Sequence, residues 1–163
     1  MGNSDGRGAG GWVSLVIHRY LGEGFAGYVP QDYHTQYEPI WYGWLEGEKR
    51  LCPLQDRQQS DLWEIPRPKK SPDHPTTKPI ALAAKAIGNS SHKGDAVLDL
   101  FGGSGTTMLA AEQTERTAYL MELDPKYSDV IVRRYIKNQE SDAGIFLFRN
   151  GERLMYHEVP QSQ

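Results

Sequence analysis

Ala96-Val97-Leu98-Asp99-Leu100-Phe101-Gly102-Gly103-Ser104-Gly105-Thr106-Thr107 is the stretch on which the reading of this chain turns. An apolar run with a single acid inside it predicts a buried strand over Ala96 to Phe101, and Thr107 to Gln113 is rich in helix formers. Between them lies a run of small residues with three glycines. A glycine turn between strand and helix lets a ligand approach the backbone closely, and the helix N-terminus then offers unpaired N–H groups to it. Towards the C-terminus, Thr117 to Leu123 reads as a second strand. A helix then begins near Asp124-Pro125 and carries Tyr127, Val130, Ile131 and Tyr135 inward. Towards the N-terminus, Ile80, Ala83, Ala84 and Ile87 fall at helical spacing, with Pro79 suited to the first turn and Gly88 to the stop. The order α-β-α-β-α predicts an α/β protein with a doubly wound, Rossmann-like open sheet.

The remainder frames this unit. A chain of 163 residues allows one domain or part of one. No stretch reaches the ~20 apolar residues of a membrane span, and the start has no apolar signal core, so a soluble cytoplasmic protein with no membrane partner is expected. Cys52 stands alone and excludes both an internal disulfide and a cysteine-rich zinc site; no metal site is expected. Residues 1–11, with five glycines, read as a disordered leader. Residues 12–72 hold partial strands at Trp12 to Ile17 and Glu38 to Trp44, then an irregular, Gln- and Pro-rich excursion from Leu45. Residues 73–140 form the α/β core, and residues 141–163 a C-terminal hairpin and tail turning at Asn150-Gly151. The net charge of -3 hides an uneven distribution: six cations from Arg67 to Lys93 face Asp73 alone. Such a stripe suits phosphate contact or a solvated face equally well.

The acid ahead of the glycines narrows the ligand. Dinucleotide sites show G-x-G-x-x-G, whereas Asp99 stands three residues before Gly102. A carboxylate there repels a pyrophosphate and attracts a cationic group such as an ammonium or a sulfonium. Glu122, at the end of the next strand, is placed to accept hydrogen bonds from ribose hydroxyls. A strand-end cap for Asp99, a surface role for Glu122, and a nicotinamide site all stay open on these residues alone.

The loop D-L-F-G-G-S-G-T-T at Asp99 to Thr107 resembles the D-P-F-x-G-S-G-T-T of the DNA methyltransferases that modify an exocyclic amine of adenine or cytosine, with Leu100 in place of a proline. His74-Pro75-Thr76-Thr77-Lys78-Pro79 is similar to the H-P-T-x-K-P that precedes that loop in the branch with the cofactor half last, and Glu122 to Tyr127 is similar to its E-x-D-P-x-Y. The resemblance implies S-adenosylmethionine as cofactor and double-stranded DNA as substrate, with adenine favoured over cytosine. It implies a cofactor-binding set of Thr76, Asp99, Phe101, Gly102, Gly103, Ser104, Gly105, Thr106 and Glu122. Asp99 and the glycine backbone would hold the amino-acid end, Glu122 the ribose, and Thr76 the far side of the methionine moiety. Leu45 to Pro72 lies where that branch places its target-recognition region, where Trp41, Trp44 and Trp63 are candidates for base stacking and also for core packing. The family's D-P-P-Y tetrapeptide, which grips the target amine beside the flipped base, has no counterpart, since the chain contains no adjacent prolines. No catalytic residue is therefore expected here. The chain reads as an incomplete methyltransferase whose catalytic half lies on a missing N-terminal portion or a second chain, or as a non-catalytic remnant.

Overall fold

The computed structural model describes residues 11–21, 37–45, 47, 49–50, 52–66 and 77–159, with residues 11–21 and 45 described by their backbone. The proposed leader, except Gly11, lies outside these residues, as do His74, Pro75 and Thr76.

Strand β1 (Gly11–Leu21) pairs antiparallel with β2 (Tyr37–Leu45), from Gly11 opposite Leu45 to Arg19 opposite Tyr37. Along its other edge β1 pairs in parallel with β3 (Leu62–Pro66). The irregular excursion expected from Leu45 therefore contains a strand. Its apolar residues alternate, so that Trp63 and Ile65 are buried while Leu62, Glu64 and Pro66 are exposed, the period-two pattern of a strand with one covered face. Pro66, which has no N–H to donate, sits at the end of that strand.

Helix α1 (Ile80–Ser90) takes Pro79 as its N-cap in extended conformation, one residue outside the predicted first turn, and runs past Gly88 to Ser90. Strands β4 (Ala96–Asp99) and β5 (Thr117–Leu120) pair in parallel and are joined through helix α2 (Thr106–Gln113). Both strands stop earlier than their apolar runs, which places Asp99 at the end of β4 rather than inside it. Beyond Leu120 the backbone turns to the glycine loop, where the Gly102 N–H donates to the Met121 carbonyl (2.8 Å).

Alanine faces bring α1 and α2 together. Ala110 and Ala111 are fully buried against Ile87, with Ala83, Ala84, Val97 and Ala118 packed around them, and small side chains allow helix and sheet to approach closely. Val97 and Ala118 thus mark the covered face of the β4–β5 pair. The opposite face carries Leu98 directly beside Tyr119, and both are exposed, as are Leu100 and Met121. A doubly wound sheet has helices on both faces. Among the described residues α1 and α2 cover one.

Helix α3 (Pro125–Gln139) starts as the sequence predicts, with the Asp124 carboxylate accepting from the Lys126 N–H (2.9 Å) and Pro125 at the first helical position. Ile131 is its buried residue. Tyr135 donates to Glu112 of α2 (3.3 Å), and burial, reinforced by the Glu112 charge, raises its pKa above the usual phenol value. Strands β6 (Phe146–Arg149) and β7 (Glu152–Met155) form the expected hairpin. Asn150 and Gly151 between them both take positive φ, as the tight turn that matches strand twist requires.

Arg116 closes the end of this unit away from the glycine loop. Its guanidinium donates to the Ser91 hydroxyl (3.1 Å), the Ser91 carbonyl (2.6 Å) and the Thr114 carbonyl, tying the end of α1 to the turn after α2. Arg116→Ala is expected to lower stability by about 1 to 2 kcal/mol, read as a fall in the urea midpoint at unchanged slope. Among the described residues no helix is long and apolar enough to cross a membrane, and no group of three potential metal ligands occurs.

Candidate cofactor-binding site

At the carboxyl ends of β4 and β5 the backbone brings four of the predicted residues together. Asp99, Gly102 and Gly103 lie at the end of β4, and Glu122 lies two residues past β5. The carboxyl ends of parallel strands are where open α/β sheets bind ligands, because the chain there turns into helix N-termini.

Asp99 is pre-set by its own turn: Oδ1 accepts from the Phe101 N–H (3.0 Å). Two glycines of the loop are packed from below. A Cβ on Gly102 would lie 3.0 Å from Ile131 Cδ1 and 3.3 Å from the Met121 carbonyl oxygen. Gly105, at φ +78°, would place a Cβ 3.1 to 3.3 Å from three Ile131 atoms. Glycine at these positions lets α3 press against the loop. Arg134 of α3 adds a hydrogen bond to the Ser104 carbonyl.

Glu122 bridges the two strand ends. Oε2 accepts from the Gly103 N–H (2.7 Å), and Oε1 from the Asp124 N–H (3.0 Å). The Asp124 contact and the Ile131 floor are features that sequence reasoning missed. The E-x-D spacing at residues 122 to 124 is the signal for the first; the second has none, because it depends on how α3 docks.

The remaining candidates separate into different roles. Phe101 is 87% exposed at the loop tip. Ser104 and Thr106 are buried, their hydroxyls 3.4 Å apart, and Thr106 also donates to the Lys78 carbonyl (3.3 Å). Their hydroxyls join the loop to the approach of α1, so what this part of the loop can offer a ligand is backbone, including the first N–H groups of α2, which have no partner within the helix. Lys78 forms an ion pair with Glu38. Thr76 lies outside the described residues. Of the tryptophans, Trp63 is core at 7% exposure, Trp44 is half-buried, and Trp41 is 74% exposed on the opposite face of β2.

A carboxylate fixed at one strand end, a bare glycine backbone and a second carboxylate at the next strand end suit a ligand with a cationic end and vicinal hydroxyls. Polyphosphate meets two negative charges there.

Comparison with known proteins agrees with this architecture. The chain is 36% identical over 139 residues to the type II methyltransferase M.BglI of Bacillus subtilis, covering 78% of this chain and 37% of that protein. It is 37% identical over 84 residues to the type II methyltransferase M2.MboI of Moraxella bovis, covering 49% and 31%. The chain thus spans about a third of the length of these curated relatives. Among solved structures, TTHA0409 of Thermus thermophilus, complexed with S-adenosyl-L-methionine, superposes with a TM-score of 0.54 at 27% identity, covering 76% of this chain and 52% of that one. The fold is therefore a partial Rossmann-like methyltransferase fold. The model of the N6/N4 DNA methylase family matches residues 30–133, more than half of the chain, and this chain belongs to that family.

Proposed function

We propose that this chain is the cofactor-binding portion of a site-specific DNA methyltransferase that uses S-adenosylmethionine and modifies an exocyclic amine of double-stranded DNA, adenine in preference to cytosine. The observation that carries the reading is the pairing of Asp99 and Glu122 across the glycine loop, with Glu122 held by the Gly103 and Asp124 N–H groups. When bound, S-adenosylmethionine supplies a methyl group activated by its sulfonium charge. Asp99, whose Oδ1 is engaged by its own turn, would receive the ligand's ammonium group on Oδ2. Gly102 and Gly103 would let the amino-acid end lie against the backbone, and Glu122 would orient the ribose. These residues bind and aim the donor. The grip on the target amine, which needs a side-chain and a backbone acceptor so that the nitrogen lone pair faces the methyl group, is assigned to residues outside this chain. The type II methyltransferase names of the relatives support a place in a restriction-modification system.

Calorimetric titration tests the reading. Saturable one-site binding of S-adenosylmethionine is expected, weakened about 10- to 100-fold in Asp99→Ala by loss of a charge-assisted hydrogen bond, with no binding of a nicotinamide dinucleotide. Silence from a folded sample, or equal binding in the variant, would overturn it. A second reading, a non-catalytic cofactor- or DNA-binding subunit completed by another chain, is favoured by the open face at Leu98 and Tyr119. Adding a separately expressed upstream methyltransferase half separates the two: N6-methyladenine or N4-methylcytosine appearing in the DNA, read by mass spectrometry, supports an enzyme divided between chains, and neither appearing supports a chain that stays non-catalytic when the missing half is supplied.

A further inference from the structure

At the opposite end of α1 from the glycine loop a cavity opens, of about 410 Å³. Thr106 meets the Lys78 carbonyl beside the N-terminal end of α1, whereas Ala86, Asn89 and Ser90 line the cavity at its C-terminal end. An eleven-residue helix is about 16 Å long, so the cavity is separate from the cofactor site. Its volume falls within the range of small-ligand pockets, about 300 to 1,000 Å³.

The lining is specific in its chemistry. Tyr42 and Trp44, both half-buried on the inner side of β2, stand edge to face with ring centroids 5.8 Å apart, and buried Trp63 adds a third aromatic side chain. Flat apolar surfaces of this kind take a flat ring. Gln59 and Asn89 are locked to one another by reciprocal amide hydrogen bonds of 3.1 and 2.9 Å. Each amide carries two N–H donors and an oxygen with two lone pairs, so the locked pair has a further donor and acceptor on each side chain at the cavity wall. An adjoining cleft shares Arg50 and Leu54 with the cavity and adds Arg57. Arg50, 5.3 Å above the Trp44 ring, thus links the aromatic surface to a cleft lined by two arginines.

We infer that this cavity is a nucleotide site, taking a nucleobase against Tyr42 and Trp44 and a phosphate at Arg50 and Arg57. A ring with edge donors and acceptors is what the cavity lining, which includes Asp61, complements, and the anionic tail belongs in the adjoining cleft, lined by Arg50, Pro53, Leu54 and Arg57. Guanidinium groups suit phosphate oxygens through charge and geometry, and a neutral planar ligand would make no use of them. The same chemistry is carried by a free nucleotide and by one nucleotide of a single strand. The site stands apart from the donor-binding residues and does not depend on the methyltransferase reading.

Tryptophan fluorescence of the full chain tests it, using 5′-AMP, 5′-CMP, adenosine and a short single-stranded deoxyoligonucleotide as probes. Saturable quenching by nucleotide is expected, at least about tenfold weaker for adenosine than for 5′-AMP and at least about tenfold weaker in Arg50→Ala and Trp44→Leu. Glu122→Ala should leave it unchanged, which separates it from adenosine entering the cofactor site. Oligonucleotide binding at least about tenfold tighter than 5′-AMP identifies a base of a strand, and equal affinity identifies a free nucleotide. Arg50 is exposed, so its variant reports on binding even if Trp44→Leu fails to fold. No saturable quenching by any probe, or quenching indifferent to Arg50 and to the phosphate, would overturn the proposal.

Discussion

Glu122→Ala should weaken S-adenosylmethionine binding by at least about a hundredfold. The substitution removes acceptors for the Gly103 and Asp124 N–H groups, and a hydrogen bond to a charged partner is worth about 1.5 to 3 kcal/mol. The loop loses its tether to the end of β5, and the ligand loses the group proposed to orient its ribose. Two readouts separate these effects: calorimetry for affinity, and amide hydrogen exchange at Gly103 for the tether, which should accelerate in the ligand-free protein. Glu122→Gln keeps one acceptor oxygen and sets an NH2 group against a backbone N–H, so it should fall between wild type and alanine. Unchanged affinity in Glu122→Ala would remove this residue from the site, and unchanged exchange would remove it from the loop.

Gly105→Val should be the most destabilising single change in the core unit, by about 3 kcal/mol or more. At φ +78° a residue with a side chain sits in the left-handed region, at about 1 to 2 kcal/mol for an ordinary L-residue and more for a β-branched one. The first carbon of that side chain would also stand 3.3 Å from the α-carbon of Ile131, a backbone atom that no rotamer change can move, and such overpacking costs about 1 to 3 kcal/mol. Gly103→Ala is the internal comparison. Its φ is also positive, but the nearest neighbour is 3.7 Å away, leaving conformational strain alone. Urea denaturation of both variants should show the first losing at least twice as much stability as the second. Pairing Gly105→Val with Ile131→Ala should recover only part of the loss, since the shortened side chain gives room while the φ angle and the crowding against the backbone of α3 remain.

What was legible in the sequence was what is decided locally. The run from Ala96 to Thr107 has a strand, a glycine turn and a helix start within twelve residues, and each signal acts on its own neighbours. Asp124-Pro125 caps α3, and Asn150-Gly151 turns the last hairpin, for the same reason. Strand β3 escaped notice because its surroundings are polar and its partner, β1, lies more than forty residues upstream; the Trp63 and Ile65 alternation gains meaning only once that pairing exists. Inside the candidate site, spacing identified Asp99, Gly102, Gly103 and Glu122 as neighbours. It could not show which way short hydroxyl side chains turn. Ser104 and Thr106 belong to the set the resemblance implies, and the structure adds that both hydroxyls are buried, that of Thr106 donating to the Lys78 carbonyl ahead of α1. The ion pair of Lys78 with Glu38 of β2 was equally out of reach, because forty residues separate the two in the chain.

The uncovered face at Leu98, Leu100, Tyr119 and Met121 bears on the life of the chain in a cell. Apolar side chains presented together to water are what chaperones bind and what aggregation starts from. A chain whose face stays open is expected to be degraded faster than one whose face is covered, a difference that a pulse-chase half-life would read.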